Sequence, residues 1–391
     1  MIFSLPYIFF VVCFFVFYIY SNTKCVGYVE RYGLSHFYVV ISLFFFIGFR
    51  GFIVTDWVEY YKFYQLVPSI RYFSSYWYHG WEKGFIIYAS LIKTLTNDFF
   101  LFQFISFFID LMVINKFITE NVEKNCYVLA YISFFVFEGF NLEVNLLRNS
   151  KAVLLFLLSI PYLEKRKFLV FYLLNILGIA FHISSVVYLF FPFFVNRKFS
   201  KWFILCIYLI GNILFLCHIS FTNIILSLIL KFSGNSRIRN LIIGYDLLSS
   251  TEGLGIGFGY LERILLFCLV FLFQDRLMKK NKRNVVFVNM FWGYSFLFLF
   301  VFDIYVFCQR FKVLFIPSLW ILIPEIFSLI KRRNNKIMFL VVFFLYSCLS
   351  MYLQCDEPNY KYSNYLLHEQ DYQEAYKNIT SYRRLKKSGK D

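Results

Sequence analysis

Apolar runs follow one another along almost the whole chain, near residues 2–20, 36–53, 98–118, 126–141, 147–163, 202–222, 261–275, 285–302, 311–330 and 337–353. Two shorter ones between 168 and 195 are split at His182. A helix crosses the ~30 Å hydrocarbon core in about 20 residues, so each run is a span or close to one. Several fall short, and those helices are expected to continue into polar flanks. The 391 residues are 60% hydrophobic and only 16% charged, too little polar surface for a soluble domain of this size. The expected fold is an all-α polytopic integral membrane protein.

Basic residues set the orientation. The net charge of +16 first suggests nucleic acid as a partner. The Lys and Arg residues instead lie in short loops: Lys165 to Lys167, Arg197/Lys198/Lys201, Arg276 to Arg283, and Lys331 to Lys336. Such knots mark the cytoplasmic side, so no nucleic-acid role is expected and the lipid bilayer is the first partner. Counting spans back from the first knot places Arg148 and His182 at the outer face. The segment 84–97 is short and carries Lys93, which suits an interfacial or re-entrant helix. The count is about twelve spans with both termini outside. One transmembrane domain covers 1–353, with outer loops at 54–97 and 232–260, and a polar tail covers 354–391.

Ionisable side chains collect at the outer ends of these runs: Arg50, Asp56, Glu82, Arg148, Lys151, His182, Asp303 and Arg310. A single arginine at a span end is as well explained by snorkelling. Several from separate spans on one face point to an anionic substrate, because guanidinium forks bind phosphate oxygens bidentately. Arg148 and Lys151 are one helical turn apart, which predicts a shared face. His182 is the natural proton acceptor at neutral pH, with Asp56 and Glu82 as rivals. Asp56 also fits the N-cap of a helix starting at Trp57. The nine cysteines show no paired spacing, and neither a DxD nor an HExxH pattern occurs. No metal and no cofactor is expected.

In order and spacing these motifs resemble the EpsG / Wzy-type family of bacterial polysaccharide polymerases. The matching positions are Arg50, Asp56 with Tyr60, the Glu82-Lys83-Gly84-Phe85 element, Arg148-Asn149-Ser150-Lys151-Ala152, His182 and Arg310. Asn149 stands where the family usually has Gln, and Lys83 where it has Pro, so no role is carried to those two.

The resemblance implies a GT-C-like, metal-independent, inverting glycosyltransferase of the bacterial inner membrane. It would polymerise oligosaccharide repeat units on undecaprenyl pyrophosphate at the periplasmic face, giving O-antigen, capsule or exopolysaccharide. Lipid-linked oligosaccharides are then donor and acceptor, and a chain-length regulator is a candidate protein partner. In this reading Arg148, Arg310, Arg50 and Lys151 face the pyrophosphate. His182, Asp56 and Glu82 supply the base, and Trp57, Tyr60 and Gln309 contact sugar. The aromatic outer loop, including Tyr76, Trp77, Tyr78 and Trp81, either stacks on sugar rings or forms an interfacial belt. Two alternatives remain. An O-antigen ligase usually has a larger late outer loop, and a lipid-linked oligosaccharide flippase should show mid-span charges in two related halves.

Overall fold

A computed structural model describes residues 2–22, 28–73, 80–194, 197–222, 256–303 and 305–387. The expected outer loop 232–260 lies mostly outside these residues, as do Tyr76, Trp77 and Tyr78. The described helices are α1 (Leu5–Ser21), α2 (Tyr28–Gly48), α3 (Trp57–Leu66), α4 (Lys83–Lys93), α5 (Phe99–Asn121), α6 (Tyr127–Phe134), α7 (Phe140–Val144), α8 (Leu147–Glu164) and α9 (Phe168–Phe181). They continue as α10 (Phe191–Phe194), α11 (Lys201–Leu216), α12 (Phe258–Lys280), α13 (Asn284–Phe300), α14 (Tyr305–Phe315), α15 (Pro317–Leu329), α16 (Arg333–Cys355) and α17 (Tyr372–Lys387). No strand forms among the described residues; the one bridge joins Arg50 and Asn364.

Among the described residues three helices are long and apolar enough to cross a membrane: Phe99–Asn121, Lys124–Val144 and Arg333–Cys355. A fourth crossing is counted if Cys308–Phe315 and Pro317–Leu329, bent by 46°, form one broken span. The Lys124–Val144 span joins α6 to α7 through a kink, where Glu138 takes a positive φ of 59°. α3 and α4 have 10 and 11 residues, roughly 15–17 Å of helix, which is about half a bilayer core. On α16 the large apolar residues Ile337, Met338, Val341, Val342 and Leu345 are all at least half exposed. A soluble surface does not carry such a stripe, whereas lipid covers it at no cost.

The chain divides into two compact units, residues 1–189 with 323–391, and residues 190–322. In the first, α1, α2 and the α6 region pack through aromatic rings, for example Phe10 on Phe46 at 4.2 Å between centroids. α8 lies along α9, and Phe156 of α8 stacks on Tyr188 of the 3-10 turn Ile183–Phe190 at 3.7 Å. The polar tail docks back onto the ends of α1 and α2. Ser4 donates to Asp356 through its amide and hydroxyl, both at 3.2 Å, and the Tyr362 hydroxyl donates to the Phe46 carbonyl. Gly51 N donates to Ser363 O at 2.9 Å and Val54 N to Asn359 O at 2.7 Å, so the tail pairs with the loop between α2 and α3.

In the second unit α11, α12 and α13 pack together, and Tyr208 stacks on Phe267. Lys201 and Asp275 pair at 2.8 Å on its surface. Arg263 lies over the Phe298 ring at 3.9 Å and donates to Gly259 O. Asp303 is fully buried and accepts from Thr222 at 2.8 Å and from Ser220.

Candidate active site at the start of α8

Arg148 stands in the first turn of α8, and Leu147 beside it is anchored in an aromatic cluster with Tyr60, Phe63, Phe85 and Phe102. The guanidinium projects to the N-terminal edge of α4. Its Nη1 donates to Glu82 Oε2 at 2.6 Å, and its carbon lies 4.6 Å from the Trp81 ring centroid. Both side chains of the pair are about three-quarters buried, which strengthens it relative to a surface pair. Trp81 is itself stacked on Phe63 at 4.2 Å and 8° between planes, which holds the indole under the charge. Burial pushes the Tyr60 phenol up, while its contact with Arg148 works the other way. The Arg148 Nε is buried and has no hydrogen-bond partner among the described residues. Glu82 and the Tyr60 phenol both engage the guanidinium, and Nε is its one buried nitrogen without a partner among the described residues.

Glycine at 84 makes this placement possible. A Cβ there would lie 2.6 Å from the Ala180 carbonyl oxygen. The start of α4 thus crosses the last turn of α9 at backbone contact, bringing Glu82 and His182 into one neighbourhood. Glu82 holds the N-cap position of α4, yet its carboxylate makes no cap hydrogen bond and goes to Arg148 instead. Gly84→Ala should destabilise the protein by about 1–3 kcal/mol through overpacking. A thermal melt of the purified protein in detergent checks this, and an unchanged midpoint would rule out the tight crossing.

His182 stands at the break between α9 and the 3-10 turn Ile183–Phe190. The Ser184 backbone N–H donates to its Nδ1 at 3.2 Å, with the Ser184 hydroxyl 3.0 Å away. An amide can only donate, so Nδ1 carries the lone pair and the neutral ring has its proton on Nε2. That tautomer presents a donor at Nε2, which disfavours the proton-accepting role expected for His182. Asp56 precedes α3, but its side chain makes no cap bond there; it accepts from Thr55 at 3.2 Å, while its own amide donates to Asn145. The Asn145 bond ties the loop before α8 to the start of α3, on which Tyr60 sits one turn further.

Other sequence candidates have different surroundings. Arg50 is 1% exposed and its two terminal nitrogens donate to Ile47 O at 2.8 Å and Glu143 O at 3.1 Å. Its charge serves the interior rather than an open pocket. Lys151 does not follow Arg148 to Glu82; it is buried, pairs with Asp110 on α5, donates to Ser106 O at 3.2 Å and lies 5.1 Å from the Tyr88 ring. A cation that deep in an apolar bundle needs a carboxylate partner, and Asp110 supplies it. Trp57 is buried between Phe52 at 4.2 Å and Tyr372 at 5.8 Å, so the tail occupies the place expected for sugar. Gln309 is half-buried and Arg310 exposed on α14, in the second unit.

Two residues absent from the sequence reading complete the interior network. Asp110 is 1% exposed in mid-α5, and Glu143 is 1% exposed at the end of the Lys124–Val144 span. Ser150 donates to Glu143 Oε1 at 2.6 Å and lies 3.4 Å from Asp110 Oδ2. With Arg50 and Lys151 this makes two buried cations and two buried carboxylates. Among the described residues no group of three or more His, Cys, Asp or Glu side chains is arranged to hold a metal ion.

These features define a helical membrane protein with an arginine-centred, aromatic-walled site at the end of a helix. The chain belongs to the EpsG family, whose family model matches residues 34–367. That family is glycosyltransferase-like and of the polysaccharide-polymerase type. No curated protein and no solved structure matches the chain.

Proposed function

We propose that this protein is the membrane polymerase that joins undecaprenyl-pyrophosphate-linked oligosaccharide repeat units into O-antigen, capsule or exopolysaccharide. In this reading it is a GT-C-like protein of about twelve spans in the bacterial inner membrane, with the α8 site facing the periplasm. The observation that carries it is Arg148: a cation aimed in advance by Glu82 and Trp81, its side chain still 26% exposed. A partly exposed guanidinium held in place before substrate arrives suits a phosphate oxygen.

The reaction is an inverting transfer without metal. The acceptor hydroxyl oxygen attacks the anomeric carbon of the nascent chain, and the bond from that carbon to the pyrophosphate oxygen breaks. The electron pair leaves with undecaprenyl pyrophosphate, whose growing charge Arg148 stabilises. The hydroxyl proton passes to a carboxylate. Glu82 is already committed to Arg148, so Asp56 takes the proton, and His182 donates from Nε2 to an oxygen of substrate. Arg50 and Lys151 hold the site's helices from below, and Arg310 remains a second pyrophosphate ligand on the strength of the sequence pattern. A chain-length regulator is the proposed protein partner.

Purified protein in lipid bilayers, given the lipid-linked repeat unit and EDTA, should yield a ladder of polymer. Movement of the unit across the bilayer without polymer would make the protein a flippase. Transfer of finished polymer to a lipid core alone would make it a ligase.

A further inference from the structure

A concave surface lies between the first turn of α1 and the docked tail. Its volume is about 680 Å³, inside the roughly 300–1,000 Å³ range of ligand sites. Phe52 lines it, and its neighbour Trp57 belongs to the same helix as Tyr60, which faces Arg148. Three polar groups along it have no internal use. Asn359 is held by its backbone to Val54, which leaves its Oδ1 buried without a partner. Glu374 and Asn378 are exposed one turn apart on α17, and neither side chain makes a hydrogen bond among the described residues. Amide and carboxylate oxygens next to an aromatic edge are the groups that take up sugar hydroxyls.

Charge narrows the ligand. Glu369, Asp371 and Glu374 line the groove against Lys361, with His368 also present. An anionic headgroup, a pyrophosphate or a uronic acid would meet net negative potential there. We infer that this groove binds an uncharged stretch of oligosaccharide, as a holding site for the glycan separate from the site that joins it. The inference rests on the polymerase reading for its biological use, but not for its binding chemistry. A polymer held by its sugars stays near the enzyme between additions, so tighter holding gives longer chains.

The test uses the full-length protein in lipid nanodiscs and ligand-observed NMR, with chitotriose and maltotriose as neutral probes. A hexuronate trisaccharide and glycerophosphoglycerol serve as anionic ones. A neutral trisaccharide should bind, and the N359A/E374A/N378A variant should weaken it about tenfold or more, the loss of two or three net hydrogen bonds. Arg148→Ala should bind it as the unaltered protein does. In polysaccharide-producing cells the triple variant should still make polymer, with a modal length several-fold shorter. Binding of neither neutral probe, equal binding by the triple variant, or a preference for either anionic probe overturns the inference. Failure of the bilayer assay with neutral-probe binding intact overturns the polymerase reading alone.

Discussion

Cells that carry Arg148→Ala in place of the natural protein should lose long-chain polysaccharide, with transfer falling about 10²–10³-fold, as when an oxyanion donor is removed. The geometry makes this sharper than a simple charge loss. Arg148 uses Nη1 for Glu82 and lies over Trp81, so the guanidinium is aimed before substrate arrives. Alanine removes the guanidinium and also leaves Glu82, 20% exposed, as an unneutralised carboxylate facing the proposed pyrophosphate. Both changes act in the same direction. Arg148→Lys retains the charge and satisfies Glu82, but has no planar fork with which to offer a second donor, so it should recover only part of the rate. The measurement is the ladder of cell-surface polymer at matched protein abundance in the membrane. Normal ladders from Arg148→Ala would remove the site.

The second large effect should appear in stability. Lys151→Met leaves Asp110 and Glu143 buried against Arg50 alone, and breaking a buried pair from one side costs about 3–5 kcal/mol. Asp110→Asn/Lys151→Met restores equal numbers of buried cations and carboxylates and should regain most of that loss. Thermal unfolding of the three proteins in one detergent reads this directly. A double variant as unstable as Lys151→Met alone would show that the charges are not coupled. The pair joins α5 to α8 three positions after Arg148, so it also fixes the rotation that points Arg148 at Glu82.

Much of the fold was legible because hydrophobic runs map onto helices with little competition. The Phe99–Asn121, Lys124–Val144 and Arg333–Cys355 helices contain the runs near 98–118, 126–141 and 337–353 almost entirely and extend past them into polar flanks. Arg148 and Glu82 were legible as candidates, since each is charged at the edge of an apolar stretch. Their mutual contact was not, because it depends on Gly84 meeting Ala180, a backbone approach that no local pattern announces. Asp110 was the clearest missed signal: a carboxylate in mid-run is costly in a membrane and needs a partner. Trp57 was misleading for another reason. Its identity says that a flat apolar face exists, but not that Tyr372, more than three hundred positions later, covers it.

The docking of the tail carries a consequence for how the chain is threaded. Ser4 and the Gly51–Val54 stretch are each hydrogen-bonded to residues 356–363, so all three lie at the same water boundary. A polypeptide that leaves a boundary and comes back to it has traversed the lipid an even number of times. The parity therefore applies from Ser4 to Gly51 and again from Val54 to Asp356, whichever short helices cross. An odd tally from topology mapping would require those inter-segment bonds to break.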